Sequence, residues 1–287
     1  MARTISIVGA GRVGKTLGKR LRKLGWCIGA VVTKSKATSG AAVQAIGAGL
    51  ARSRVTIDAA AADVILVATP DDALAGVASA LAEISGKDWR GKIVLHTSGT
   101  LDCGVLAPLA RRGAATGSLH PMQTFSGRGV PNLAGVIFAV EGDPKARRVA
   151  LGIVRALGGV PISIDSRDKP VYHAAAVLAA GSGFPLIESG VQMLMRIGFT
   201  RRRAMQTLLP LIRQMLDNIE RIGPRAAWTG PLSRDDYTII AKHAQALRGY
   251  PREVQQAYVT LAHLAAHVLS KKPASATKRL KRALAGR

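Results

Sequence analysis

The first half of the chain alternates short apolar runs with amphipathic ones. Ile5-Ser6-Ile7-Val8 stops on glycine, and a helix-compatible run, Lys15 to Leu24, follows at once. Further strands are predicted at Trp26 to Val32, near Val55 to Ile57, and over Val64 to Ala68, Lys92 to His96, Ala115 to Leu119, Val136 to Val140 and Val160 to Ile164. Helical periodicity falls between them at Ser39 to Gly47, Asp72 to Ile84, Asp102 to Arg112 and Pro144 to Leu157, and Gly86 to Gly91 reads as a loop. Thr69-Pro70-Asp71-Asp72 supplies polar groups suited to capping the second of these helices. Such alternation predicts a mostly parallel sheet with helices on both faces. From Lys169 onward only the 3.6-residue period remains: Lys169 to Leu194 with a break near Gly181, then Thr200 to Arg221, Ser233 to Leu247 and Pro251 to Leu269. The expected fold is α/β: a sheet domain over residues 1–166, an all-helical domain over 167–270, and a basic tail, 271–287, frayed at its end.

The chemistry begins where the first strand ends. Gly9, Gly11 and Gly14, with Arg12 and Val13 between them, have the spacing G-x-G-x-x-G. Glycines so placed allow a tight turn, close approach of backbone to a pyrophosphate, and close helix-on-strand packing, with the phosphate on the helix N-terminus. The sheet is therefore of Rossmann type. The same letters, Gly9 to Thr16, also read G-x-x-x-x-G-K-T, a phosphate loop, but that site needs an acid directly after an apolar strand. The strand at Val64 to Ala68 instead runs into Thr69-Pro70 before Asp71. After the second strand comes Thr33-Lys34-Ser35-Lys36, where an acid would hold the ribose 2′-hydroxyl of NAD. Cations and hydroxyls there suit a 2′-phosphate, so the expected cofactor is NADP. Thr69, Pro70, Ser98 and His120 follow strand ends, on the edge where such sheets bind ligands.

A formal net charge of +24 and a pI near 11.2 raise the question of nucleic acid. The tail from Ser270 is basic throughout, with no acid, and aromatic residues make up only 4% of the chain with no zinc-finger spacing. The charge reads as solvated surface and as attraction for anionic ligands, and nucleic acid is not an expected partner. Cys27 and Cys103 match no metal or redox spacing; Cys27 is expected in a buried strand of a reduced, cytoplasmic protein. No charged-then-apolar leader precedes the first strand. Gly181, Gly183, Pro185, Glu188 and Gln192 interrupt the apolar run Val171 to Phe199, which predicts a buried helix pair and no membrane span.

Six strings carry a resemblance: GAGRVG, ATPDD, HTSG, SLHPMQTF, KPVYHAAAV and TGPLSRDD. From about Ile5 to Leu269 the chain resembles the Rossmann-like NADP oxidoreductases with a helical C-terminal domain of unknown function. More distantly it is similar to pyrroline-5-carboxylate reductase and the β-hydroxyacid dehydrogenases, which join an NADP-binding domain to a helical dimerisation domain. The resemblance implies NADP and a homodimer through the helical domain, and it implies no particular substrate. It carries Gly9, Gly11 and Gly14 to the dinucleotide turn, Ser98 to a strand-end serine, and His120, Gln123 and Phe125 to HPMQTF. Lys169, Tyr172 and His173 open the helical part; Gly230, Pro231, Arg234 and Asp236 form a late loop. The family usually shows a Ser-Asn pair after YHAAAV, whereas this chain has Gly181-Ser182-Gly183-Phe184-Pro185. The change removes an amide donor and acceptor from the pocket that the family shares.

In nicotinamide chemistry the protein supplies orientation and a proton donor. His173, His120 and Lys169 are the candidates, and His173, four residues after Lys169, is one helical turn from it. Arg234 could clamp a carboxylate or phosphate, or pair with Asp236. His263 and His267 lie one turn apart without an acidic or cysteine partner, so no metal is expected. The expectation is an NADP-dependent oxidoreductase acting on a small anionic carbonyl, imine or hydroxy acid. The alternatives are an NADP-binding sensor or scaffold without turnover and a phosphate-loop nucleotide-binding protein.

Overall fold

The computed structural model describes residues 3–285 apart from Ser85, Lys87 and Arg128. Lys87 of the expected 86–91 loop and Arg287 of the basic tail lie outside the described residues. The chain packs as two compact units, Met1–Ala179 and Ala180–Arg287.

In the first unit a single 8-stranded sheet has the order β3-β2-β1-β4-β5-β6-β7-β8. Its strands are β1 (Thr4–Val8), β2 (Cys27–Val32), β3 (Leu50–Arg52), β4 (Val64–Val67), β5 (Ile93–His96), β6 (Ala115–Pro121), β7 (Ile137–Gly142) and β8 (Val160–Ser163). Every neighbouring pair is parallel except β6 and β7. The helices are α1 (Arg12–Lys23), α2 (Lys36–Ile46), α3 (Asp71–Ala82), the short α4 (Ala107–Ala110) and α5 (Pro144–Ala156). Covered on both faces, β4 is buried at all its positions, which is why it reads as an unbroken apolar run. One core holds Ile5, Leu17, Leu66, Phe138 and Ile153, and a second, across the sheet, holds Val8, Ile65, Leu74, Trp89 and Leu109. Burying each large side chain contributes about 1.5–3 kcal/mol, so the two layers together hold the strand ends in place.

Four local readings change. β3 forms at Leu50–Arg52, before the expected Val55 to Ile57, because Gly47 ends α2 in the left-handed region at φ +88° and the chain returns to the sheet at once. Cys27 is exposed, since it opens β2 at the rim of the sheet. The helix expected over Asp102 to Arg112 starts as a 3-10 turn, with the Asp102 carboxylate accepting from Gly104 N–H at 2.8 Å. No helix separates β6 from β7, so this pair runs antiparallel, with Ser118 opposite Glu141 and His120 opposite Ala139.

The helical part begins with α6 (Lys169–Ala176), which continues through a π-helical turn, Val177–Gly181, into α7 (Gly183–Arg196). The break between units therefore falls later than residue 166: α6 stays with the sheet because Lys169 is buried in it, 1% exposed. The second unit contains α7, α8 (Arg201–Ile222), α9 (Tyr237–Ala246), α10 (Arg252–Val268) and α11 (Pro273–Ala285). The expected fraying of the tail gives way to α11, whose Ala276 and Leu280 are buried in a cluster with Leu232, Tyr237, Ile240 and Ala266. The expected burial of the apolar run is also corrected. Ser166–Arg196 is long and apolar enough to cross a membrane by length and composition, with mean hydropathy 1.4, yet only 6% of that window is buried. On α7 and α8, Phe184, Leu211, Met215 and Leu216 stand exposed, an apolar surface on each helix that the chain itself leaves uncovered.

Candidate functional site

The glycine turn and the residues it faces all lie in the sheet unit. Gly9 sits at φ +88°, and a Cβ there would come 2.6 Å from the backbone nitrogen of Thr69. Gly14 lies inside α1, where a Cβ would meet Gly9 O at 2.6 Å and Ile7 at 3.2 Å, so its lack of a side chain lets the helix sit on the sheet. Gly11 has nothing within 4 Å of the corresponding position. Above it opens a cavity of about 580 Å³, large enough for part of a dinucleotide. Gly9, Ala10, Gly11, Lys15, Thr33, Lys34, Thr69 and Pro70 line it, joined by Thr38, Ser53 and Arg54. The Thr69 hydroxyl is buried and has no hydrogen-bond partner among the described residues. A donor left orphaned beside a glycine cradle, with cations at the far end of the cavity, fits a phosphorylated dinucleotide.

Other residues expected here do different work. Val13 packs into the sheet core, Ser35 caps α2 by accepting from Thr38 N–H at 3.2 Å, and Arg12 reaches the Phe125 carbonyl at 3.4 Å. The phosphate-loop reading meets two obstacles. Helix α1 begins at Arg12, which leaves Gly14 in the helix, and the buried Thr16 hydroxyl donates to Arg12 O at 2.9 Å within that helix.

Further along the same sheet edge His120, Tyr172 and His173 gather around Gly99. A Cβ on Gly99 would come 2.5 Å from the His173 ring and 2.8 Å from His120 Nε2, so only glycine fits between the imidazoles. The two rings stand edge to face with centroids 5.7 Å apart. His120 Nδ1 lies 3.2 Å from the Tyr172 hydroxyl. Burial pushes the His120 pKa down to about 4, with the neighbouring His173 and Lys169 adding to the effect. Burial raises that of Tyr172, against the opposing pull of the Ala139 amide. At neutral pH the phenol thus keeps its proton and His120 is uncharged, free to accept at Nδ1 and donate at Nε2.

Beneath this cluster lies a buried polar network. Lys169 Nζ donates to Ser118 Oγ at 2.7 Å, to Ser98 O at 3.1 Å and to Glu141 at 3.5 Å. Ser118 donates to Glu141 at 2.8 Å, the cross-strand neighbour that the antiparallel pairing sets on the same face. Ser98 Oγ donates to Asp71 at 2.9 Å and accepts from Thr100 and Leu101 N–H. His96 Nδ1 accepts from Ser98 N–H, which leaves Nε2 to donate to Asp102 O at 3.1 Å; burial pushes its pKa down to about 3. Ser98 and Lys169, expected as chemical groups, are placed to hold the Ser98-Gly99-Thr100 turn against which His120 and His173 rest.

Arg234 and Asp236 belong to the helical unit, where Asp236 caps α9 by accepting from Ile239 N–H at 3.2 Å. Arg234 makes no ion pair with Asp236 among the described residues. Among the described residues no cluster of ligands suited to a metal occurs. Sequence reasoning overlooked Arg54 because the strand preceding it was placed at Val55 to Ile57. The Glu141–Lys169 pair was hidden by its dependence on a β6–β7 pairing with no local signal. Tyr172, within the KPVYHAAAV string, was visible but given no role.

Residues 2–121 match a Rossmann-like domain, and residues 136–265 match a domain of unknown function, DUF2520. The chain is similar in fold to a Bacteroides fragilis protein described as a putative NADP oxidoreductase, at 21% identity and TM-score 0.77, covering 96% of this chain and 98% of that one. A reductive aminase from Aspergillus terreus in complex with NADPH and ethyl levulinate is 17% identical, with TM-score 0.70 and coverage of 97% and 99%. A pyrroline-5-carboxylate reductase from Coxiella burnetii is 15% identical, with TM-score 0.57 and 99% of each chain covered.

Proposed function

We propose that this chain, which joins a Rossmann-like domain to DUF2520, is a cytoplasmic NADP-dependent oxidoreductase acting on a small anionic carbonyl, imine or hydroxy acid. The observation that carries the reading is the cavity above Gly11, with its orphaned Thr69 hydroxyl and with Lys34 and Arg54 along its wall. The α1 N-terminus suits a pyrophosphate, and Thr33, Lys34, Thr38 and Arg54 suit a 2′-phosphate. When bound, the nicotinamide supplies or takes the hydride. The protein's own part is the proton: His120 Nε2 gives one to the substrate oxygen or nitrogen as the Tyr172 hydroxyl passes one to Nδ1, a tautomer exchange that leaves the imidazole neutral, and the half-buried phenol takes a proton back from water before the next turnover. The NADPH complexes and imine or carbonyl chemistry of the structural neighbours support this reading.

Calorimetric titration tests the cofactor. NADPH is expected to bind more tightly than NADH or ATP, and Lys34→Ala and Arg54→Ala should each reduce the preference for NADPH over NADH by about tenfold or more, the worth of a charge-assisted hydrogen bond. Tighter binding of ATP than of NADPH overturns the reading.

The same proposal includes a homodimer through the exposed stripe of α7 and α8, which carries Phe184, Leu211, Met215 and Leu216. Sedimentation should show a dimer at micromolar concentration and a monomer once Leu211→Glu and Met215→Glu are combined. A wild-type monomer counts against it.

A further inference from the structure

The string Gly230-Pro231-Leu232-Ser233-Arg234-Asp235-Asp236 is left without a part in the chemistry above, and it builds one wall of a second cavity, wholly within the helical unit. This cavity, of about 500 Å³, is closed by the segments around Arg225, Ser233, Lys272 and Arg279. Trp228, Leu232 and Leu269 supply the larger apolar side chains of a mainly polar lining. Arg225, Lys271, Lys272 and Arg279 face it with Asp235 as the one acid among the described lining residues.

Two of these cations are held in place. Arg225 Nε donates to Val268 O at 3.3 Å, which leaves its terminal nitrogens to other acceptors. Arg279 pairs with Asp235 at 3.2 Å and lies 4.5 Å over the Tyr237 ring. Asp235 itself sits at φ +59°, the non-glycine residue in the left-handed region among the described residues, and Tyr237 donates to its carboxylate at 2.9 Å. Both guanidiniums are exposed, and each is oriented by at least one such contact, so each loses less freedom on meeting an anion than an unanchored lysine does. Ser233, Ser270 and Ser275 add hydroxyls to the lining.

We infer that this cavity binds a small molecule bearing a phosphate or diphosphate on an apolar or aromatic body. The phosphate meets Arg225, Lys272 and Arg279, and the body lies on Trp228. The site is separate from the dinucleotide cavity and does not depend on the proposed reaction.

Fluorine NMR of the full chain labelled with 5-fluorotryptophan reads the site directly, because Trp26, Trp89 and Trp228 are its three tryptophans and Trp228→Phe assigns the relevant signal. Titration with pyrophosphate should shift the Trp228 resonance saturably, and AMP should bind more tightly than inorganic phosphate. In the Arg225→Gln, Lys272→Gln variant the affinity should fall about tenfold or more, with Trp26 and Trp89 signals and the melting temperature unchanged. A Trp228 signal unmoved at millimolar pyrophosphate, moved equally by KCl of the same ionic strength, or moved with unaltered affinity in the variant overturns the inference. Cofactor binding at the glycine turn is read separately, so failure here leaves that reading untouched.

Discussion

Lys169→Met is expected to destabilise the chain by about 3–5 kcal/mol, the cost of stranding a buried partner charge. Glu141 is 4% exposed and Lys169 1% exposed, so neither has water to fall back on. Burial draws the lysine pKa down while Glu141 opposes it, and the Glu141 carboxylate also accepts from Ser118 and Ser166. Adding Glu141→Gln to Lys169→Met should recover a large part of the loss, since the remaining amide can still accept from Ser118. Urea unfolding of the two variants and the parent measures this. A single-variant cost below about 1 kcal/mol would mean that the pair is hydrated and surface-like.

His120→Ala is expected to reduce kcat/KM by about 10²–10⁴-fold, the range for removing a general acid or base. NADPH affinity should stay unchanged, because His120 does not line the dinucleotide cavity. His173→Ala should cost less, since His120 alone among the two imidazoles is bonded to the Tyr172 hydroxyl. The pH dependence follows from the lowered His120 pKa. The relay needs a neutral imidazole, so activity is retained as pH falls through 6.5 and is lost only on approach to about 4. A loss in His173→Ala larger than that in His120→Ala would transfer the role to His173. A panel of 2-keto acids and cyclic imines with NADPH oxidation supplies the assay, and absence of turnover throughout would favour an NADP-binding sensor.

Much of the sheet unit was legible because each strand runs apolar into a glycine, proline or hydroxyl that must leave the sheet. Gly9, Thr69 and Ser98 follow that rule, whereas His120, expected just past a strand end at Leu119, lies inside β6, which runs on to Pro121 in its pairing with β7. The strand at Val64 to Ala68 was readable for the same reason that it is central: both of its faces are buried. What could not be read was decided by contacts distant in sequence. Lys169 looks like a solvent cation until Glu141 is brought opposite Ser118 by an antiparallel pairing that has no local signature. Leu211 and Phe184 follow the pattern of core residues, and periodicity cannot tell a stripe that faces its own chain from one that does not. In α11, alternating basic and small residues resemble a solvated tail, yet Ala276 and Leu280 suffice to dock it.

The segment between β6 and β7 begins with Met122-Gln123-Thr124-Phe125, the end of HPMQTF, and is fastened to α1 by Arg12 to Phe125 O and by Arg20 to Pro131 O, at 3.4 and 2.7 Å. Both anchors grip main-chain oxygens, which every amino acid possesses. These two bonds hold the segment without calling on its own side chains, while Phe125 and Leu133 pack into the sheet core beside them. Solvent-facing positions between the anchors can change without loosening these main-chain bonds, so the attachment of the segment to α1 is set apart from the chemistry of its surface.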